Sequence, residues 1–265
     1  MKKIFYSMSA LVMAVGLNSC DSIAEADRLI YVAPAEVSKN VLIEDFTGQL
    51  CINCPEAAET IHELQEAYGN DKVIAVGLYS GPFGKNSKGL LPLTTETGNY
   101  YYEQQNVESQ PSLNIDRKGL TSDMGRLQTR VTEGLQEKTP VTISPTVEYD
   151  AEEKKATLKL DVFSSETIDG AKLQVWLMED SIVSPQKMPS GTTNKTYVHN
   201  HVFRATVTDR DGKTISLNAN AKVSEQFEVA IDDNWIAKNL NLVVFVFNAD
   251  GVKQTEIIPV LQLAE

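Results

Sequence analysis

Cysteine is scarce in this chain. Only Cys20, Cys51 and Cys54 occur among 265 residues, which excludes the many-bridged framework of a small disulfide-rich exported domain. It also argues against a structural zinc site, which takes four ligands, because no second CxxC exists. Clusters of Lys and Arg are missing as well. With 24 basic against 36 acidic residues and a formal charge of −12, no patch stands ready to release counterions from a nucleic acid or to hold an anionic membrane surface. GxSxG, HExxH, P-loop and Rossmann glycine patterns are all absent, which removes the common hydrolase, nucleotide and dinucleotide readings. There is no internal repeat and no low-complexity segment.

What is present begins with an export signal. Lys2 and Lys3 form a positive start, and residues 4–17 are apolar and uncharged. That stretch falls short of the roughly 20 residues a membrane span needs, so it reads as a cleaved signal over residues 1–19. Leu17-Asn18-Ser19-Cys20 resembles a lipobox, which makes Cys20 the expected lipid attachment point and the link to a membrane. Acyl chains contribute ~0.8 kcal/mol per buried methylene, so the lipid would do the tethering. Residues 20–38, with Asp21, Glu25 and Asp27 and little apolar periodicity, read as a tether.

The remaining length suits two modest domains, 39–139 and 140–265. Residues 41–46 and 73–79 are short apolar runs of the kind found in strands buried on both faces. Between them Ala57, Ala58, Ile61, Leu64 and Ala67 recur at helical spacing, which predicts a helix from Cys51 to about Tyr68, ended by Gly69-Asn70. Strand, helix, strand predicts a parallel pair with a right-handed crossover. A helix over residues 94–105, a strand over 111–116 and a closing helix to about Thr139 follow. Beyond Val141 apolar and polar residues alternate in about seven segments, with turns at residues 209–213 and 248–251 and no convincing helix. This predicts an immunoglobulin-like β-sandwich.

Cys51-Ile52-Asn53-Cys54-Pro55 carries the chemistry. An isolated CxxC in an oxidising compartment is more naturally a disulfide than a metal site. At a strand-to-helix junction, free amides and the helix dipole stabilise a thiolate, so Cys51 is the expected attacking sulfur. Asp45 lies on the strand face shared by Val41 and Ile43, behind the pair, and could exchange a proton with Cys54. Gln110-Pro111 leads the next strand. An inert clip remains the alternative to redox exchange, although a loop this short constrains the unfolded chain little.

That order of elements resembles the α/β thioredoxin-like fold. The resemblance implies that Cys51 is the nucleophile, Cys54 the resolving thiol, Asp45 the buried acid and Pro111 a cis-proline, with the Gln110-Pro111 loop accepting an extended substrate. Leu50 and Ile52-Asn53 depart from the thioredoxin pattern, and residues 80–110 are an insertion. Residues 44–48 (Glu-Asp-Phe-Thr-Gly) with Cys51, Asn53, Cys54 and Pro55, together with Pro111-Ser112, Ile115, Arg117 and residues 197–204, also resemble the twenty-eight-kilodalton Omp-related lipoproteins of Gram-negative bacteria. This second resemblance implies a lipid-anchored protein of the cell envelope, at the outer membrane, with a thioredoxin-like first domain and a β-rich second one. Two functions follow from these readings. One is thiol–disulfide exchange with exported protein thiols or disulfides. The other is a surface binding protein or adhesin on the same scaffold, with a structural disulfide. Neither requires a cofactor, a metal or a nucleic acid.

Three further groups are weighed against bland readings. His199 and His201 could share a strand face and a metal, but with no acid or cysteine nearby in sequence a surface or loop-end pair is favoured. His62 reads as an exposed or half-buried helix residue. Tyr100, Tyr101 and Tyr102 divide evenly between a recognition surface and packing of the inserted segment.

Overall fold

The computed structural model describes residues 37–85 and 89–262. The export signal, Cys20 and most of the tether therefore lie outside the described residues. The chain is mostly β, in several sheets, with few helices.

Strand β1 (Val41–Thr47) is buried along its whole length, as is β2 (Val73–Tyr79). They pair in parallel from Val41↔Val73 to Thr47↔Tyr79, and helix α1 (Cys54–Tyr68) connects them. The predicted start of α1 is corrected by three residues. Cys51 sits in a turn closed by its own N–H on the Gly48 carbonyl at 3.0 Å, while Asn53 stands at the N-cap position without a side-chain capping bond and Pro55 occupies the first turn, where no intrahelical partner is lost. Helix α2 (Glu96–Gln104) begins with the Thr95 side chain accepting from the Gly98 N–H. β3 (Ser112–Ile115) runs antiparallel to β1. α3 (Met124–Gln136) starts at the Asp123 cap and stops three residues short of Thr139.

Seven longer strands follow among the described residues up to Ala230. They are β4 (Val141–Asp150), β5 (Lys155–Ser164), β6 (Lys172–Glu179), β7 (Ile182–Lys187), β8 (Thr193–His199), β9 (Val202–Thr206) and β10 (Ala221–Ala230). β11 (Leu240–Asn248) and β12 (Gly251–Pro259) then form a hairpin. Its turn falls at residues 248–251, where Gly251 takes a positive φ of 108°, a conformation open to glycine without a Cβ clash.

The large sheet has the order β12–β11–β6–β9–β2–β1–β3, with the short strand Leu120–Thr121 at its edge. β9 is the joint. It pairs antiparallel with β6 and meets β2 in parallel at Val202↔Gly77, so the sheet continues across residues 139–140, where the sequence changes texture. A second sheet of β10, β5 and β4 stacks on it, and a third holds only β7 and β8.

Alternation along the strands builds the core in layers. Leu173, Val175 and Leu177 of β6 face the small sheet, packing with Leu158, Leu160, Leu242 and Val244. Trp176 and Met178 point the other way, against Phe203, Phe245, Leu42, Phe46 and Tyr101. On the opposite face of β1 and β2, Val41, Ile43, Val73 and Ala75 pack against Ala57, Ile61 and Leu64 of α1 and Leu127 and Val131 of α3. Trp176 is fully buried and donates its indole N–H to the Tyr101 hydroxyl at 3.2 Å. Burial of an aromatic this large contributes about 3 kcal/mol.

Candidate functional site

β1 ends in a turn that carries the CxxC pair. Gly48 is pressed against the Phe83 backbone so closely that a Cβ would lie 2.3 Å from the Phe83 carbonyl carbon. The Leu50 N–H donates to the Phe83 carbonyl oxygen at 3.0 Å. Cys51 and Cys54 are joined by a disulfide, and the Cys54 N–H, at the start of α1, points at the Cys51 sulfur from 3.1 Å. That amide and the helix dipole would stabilise a Cys51 thiolate after reduction.

The disulfide is covered. Cys51 is 2 % exposed and Cys54 3 %. The cover comes from the β7–β8 hairpin, which was not anticipated from the sequence, and not from the 80–110 segment alone. Gln186 Nε2 donates to the Cys51 carbonyl at 2.9 Å and to the Gly48 carbonyl at 3.2 Å. The Lys187 N–H donates to the Gln49 carbonyl at 2.9 Å, and Gln49 Nε2 reaches back to Ser184 Oγ at 2.7 Å.

Beside the disulfide lies a cavity of about 340 Å³, lined by Asp45, Cys54, Tyr79, Tyr197 and Gln186 among others, with Glu59 and His62 also on its wall. Asp45 continues the inward row of Val41 and Ile43 and stands opposite Gly77 in the β1–β2 register, a position with no side chain to fill the space. Asp45 Oδ1 is buried without a hydrogen-bond partner. Burial pushes its carboxyl from 3.8 up to about 7, because the charged form loses its water. The Tyr79 phenol is held well above its usual range by burial and by the nearby Asp45 and Tyr197, and Tyr197 is raised by burial, Asp45 and Glu59.

His199 anchors the base of the hairpin. It is buried, and burial lowers its pKa to about 4, so its ring is neutral. With Nε2 at 3.1 Å from the Ser184 carbonyl, that nitrogen must carry the hydrogen. Nδ1 then accepts from the Tyr79 hydroxyl at 2.7 Å. The favoured surface reading of His199 is thereby corrected. His201 turns elsewhere, to Gln65 Oε1 at 3.0 Å and to Asp180, so the two imidazoles do not share a site. Among the described residues no group of three or more His, Cys, Asp or Glu is placed to hold a metal ion. His62 is exposed on α1, beside Glu66.

The Gln110–Pro111 bond is cis. Pro111 precedes the Phe46↔Ser112 pair, which sets it next to the end of β1. The Gln110 side chain turns inward, where Nε2 donates to the Thr47 and Ser80 carbonyls at 2.7 and 3.0 Å. The tyrosines pack: Tyr101 against Trp176 and Phe203, Tyr102 edge-on to Phe46, and Tyr100 to Asp211 through its hydroxyl.

One buried pair escaped the sequence reading. Glu44, fully buried, takes Arg117 Nη2 at 2.9 Å and Nε at 3.1 Å, and its other oxygen accepts from Gln105 at 3.1 Å. The Arg117 guanidinium in turn lies over the Phe247 and Phe245 rings at 4.3 and 4.8 Å. The only hint was that both residues fall within the motifs quoted for the Omp-related resemblance.

No curated protein matches the chain. Among solved structures it is similar in fold to HBP35 of Porphyromonas gingivalis, at 14 % identity and a TM-score of 0.67, covering 88 % of this chain and 81 % of that one. A protein from Agrobacterium tumefaciens is similar at 14 % identity and a TM-score of 0.53, covering 87 % and 100 %. The family described as outer membrane protein Omp28 matches residues 98–264. That match spans more than half of the sequence and includes the whole β-rich part. The chain therefore belongs to the Omp28 outer membrane protein family, and its place is the outer membrane of the cell envelope.

Proposed function

We propose that this is a lipid-anchored outer membrane protein, tethered through Cys20, whose thioredoxin-like part at 39–139 carries a thiol–disulfide exchange centre. The immunoglobulin-like part at 140–265 would supply its cover and its contact with partners. The observation that carries the reading is Asp45: a buried carboxyl, unpartnered at Oδ1, in the same cavity as Cys54. A clip needs no such group, whereas a resolving thiol needs a place for its proton.

In the reducing direction the Cys51 thiolate attacks one sulfur of a substrate disulfide, forming a mixed disulfide and releasing one substrate thiolate. Cys54 gives its proton to Asp45, and its thiolate attacks the Cys51 sulfur. The mixed disulfide breaks, the second substrate sulfur leaves and takes up a proton, and the Cys51–Cys54 bond re-forms. The substrate gains two electrons, and the protein loses two. Oxidation of substrate thiols runs the same steps backwards.

Cys54→Ala tests this reading. It removes the resolving thiol, so mixed disulfides between Cys51 and exported proteins should accumulate in cells. Normal expression of the variant with no such adducts would sink the proposal.

A second reading has its own support in the burial of both cysteines under Gln186. In it the disulfide is a structural clip, and the chain is a surface binding protein or adhesin. Alkylation and reduction only on global unfolding would favour that reading.

A further inference from the structure

The β7–β8 hairpin is attached in an unusual way. It forms a two-stranded sheet of its own, paired with no other strand among the described residues, and an isolated hairpin of this kind is marginally stable in water. Its base is fixed by buried Ile182, which packs with Tyr79, Leu93 and Val202, and by His199 on the Tyr79 hydroxyl. Its far end stands in solvent: residues 189–196 are exposed. Between base and tip the register shifts at Ser184/Gln186, around Pro185, which has no N–H to give a ladder. Irregularities of this type re-aim a side chain, and here Gln186 turns down onto the CxxC loop.

Three carbonyls of that loop face the hairpin. Gly48 and Cys51 accept from Gln186, and Gln49 accepts from the Lys187 N–H. Resting on the exchange reading, we infer that residues 184–187 are an intramolecular strap, occupying the docking site of a partner's extended segment. Such a segment presents backbone N–H donors in a row, as in strand addition, and would take over the carbonyls of residues 48, 49 and 51 while the strap swings away on its base. With the strap down no thiolate reaches the Cys51 sulfur. With the strap replaced, the partner's own cysteine lies against it.

Gln186→Ala and the near-isosteric Gln186→Glu both remove the side-chain amide that bonds the Gly48 and Cys51 carbonyls, leaving the Lys187 N–H on Gln49. Reduction of the full mature chain by dithiothreitol, followed by thiol labelling, reads access directly. In each turnover a dithiothreitol thiolate attacks the protein disulfide, and its second thiol displaces the mixed disulfide, leaving two protein thiols and cyclic oxidised dithiothreitol. In the wild type the rate should level off with rising dithiothreitol at the strap-opening rate. Both variants should be reduced about ten-fold faster at low dithiothreitol, as loss of one net hydrogen bond of about 1.4 kcal/mol allows. The glutathione equilibrium potential of the variants should stay unchanged. A fluorescent peptide of residues 182–188 should bind the Gln186→Ala chain at least about ten-fold more tightly than the wild type.

Equal reduction rates in wild type and both variants would overturn the strap, and equal peptide affinity would overturn the docking site. Failure of the exchange reading has a different signature: a very low potential with the rate difference intact.

Discussion

Two acids stand side by side on β1 and meet opposite fates. Glu44 faces the aromatic layer, fully buried, and every oxygen is used by Arg117 or Gln105. Asp45 faces the α1 side, is nearly as buried, and leaves one oxygen without a partner. The fold places two polar side chains to satisfy the first carboxylate and none on that oxygen of the second. A buried charge with paired geometry holds a structure in register; a buried acid left unpaired holds a proton near neutrality. Adjacent residues thus separate a paired carboxylate from an unpaired one, which the exchange proposal uses.

Arg117→Ala breaks the comparison most violently. It strands the Glu44 charge in the aromatic layer and should lower unfolding free energy by about 3–5 kcal/mol in urea titration, leaving the redox potential of surviving folded protein unchanged. A loss under 1 kcal/mol would show that Glu44 is as unpaired as its neighbour.

Asp45→Asn comes next and acts in the opposite direction. Its folded pKa of about 7 lies above the ordinary 3.8, so its contribution to stability is full below pH 3.8 and is lost as pH rises through 7. The amide imitates the protonated acid at every pH. Above pH 7 the variant should therefore be more stable than the wild type by about 4 kcal/mol, while resolution by Cys54 slows. Unchanged stability at pH 8 would mean that Asp45 is not desolvated.

His199 offers a subtler check. Lowered to about 4 by burial, it contributes stability that is present above pH 6.5 and lost as pH falls towards 4. Asp45 works against it over nearly the same range, so the wild type should change little between pH 6.5 and 4 on account of these two groups. Asp45→Asn should unmask the His199 loss, about 2–3 kcal/mol across that interval, visible in denaturation at pH 6.5 and 4.5. A flat profile in the variant would contradict the burial of His199. The smallest effect belongs to Gln186→Ala, which should cost about 1 kcal/mol of global stability despite its larger effect on access to the disulfide.

The half of the chain built on local rules was legible in the sequence. β2 was predicted at its observed bounds, and β1 within one residue, because runs such as Val-Ile-Ala-Val need both faces covered. The inward placement of Asp45 followed from period two, and the CxxC disulfide from the absence of any other partner. The helix start was missed because a CxxC turn closed by the Cys51 amide on Gly48 looks, in sequence, like a first helical turn. The hairpin over the disulfide was invisible for another reason. β7 reads Ile-Val-Ser-Pro-Gln-Lys and β8 is mostly polar, so neither shows apolar alternation. Their placement depends on hydrogen bonds from Gln186 to residues 135 and 138 positions away. The Glu44–Arg117 pair spans 73 positions and likewise leaves no local trace. Nor does any pattern in residues 202–207 announce that β9 joins β2.

The measurement that bears most directly on the proposed exchange centre is the glutathione redox equilibrium of Cys51–Cys54 in the full mature chain. A potential between about −120 and −230 mV is the predicted result, in the range of exchange-competent pairs. A value below about −300 mV would contradict it and make the disulfide a structural clip beneath the hairpin.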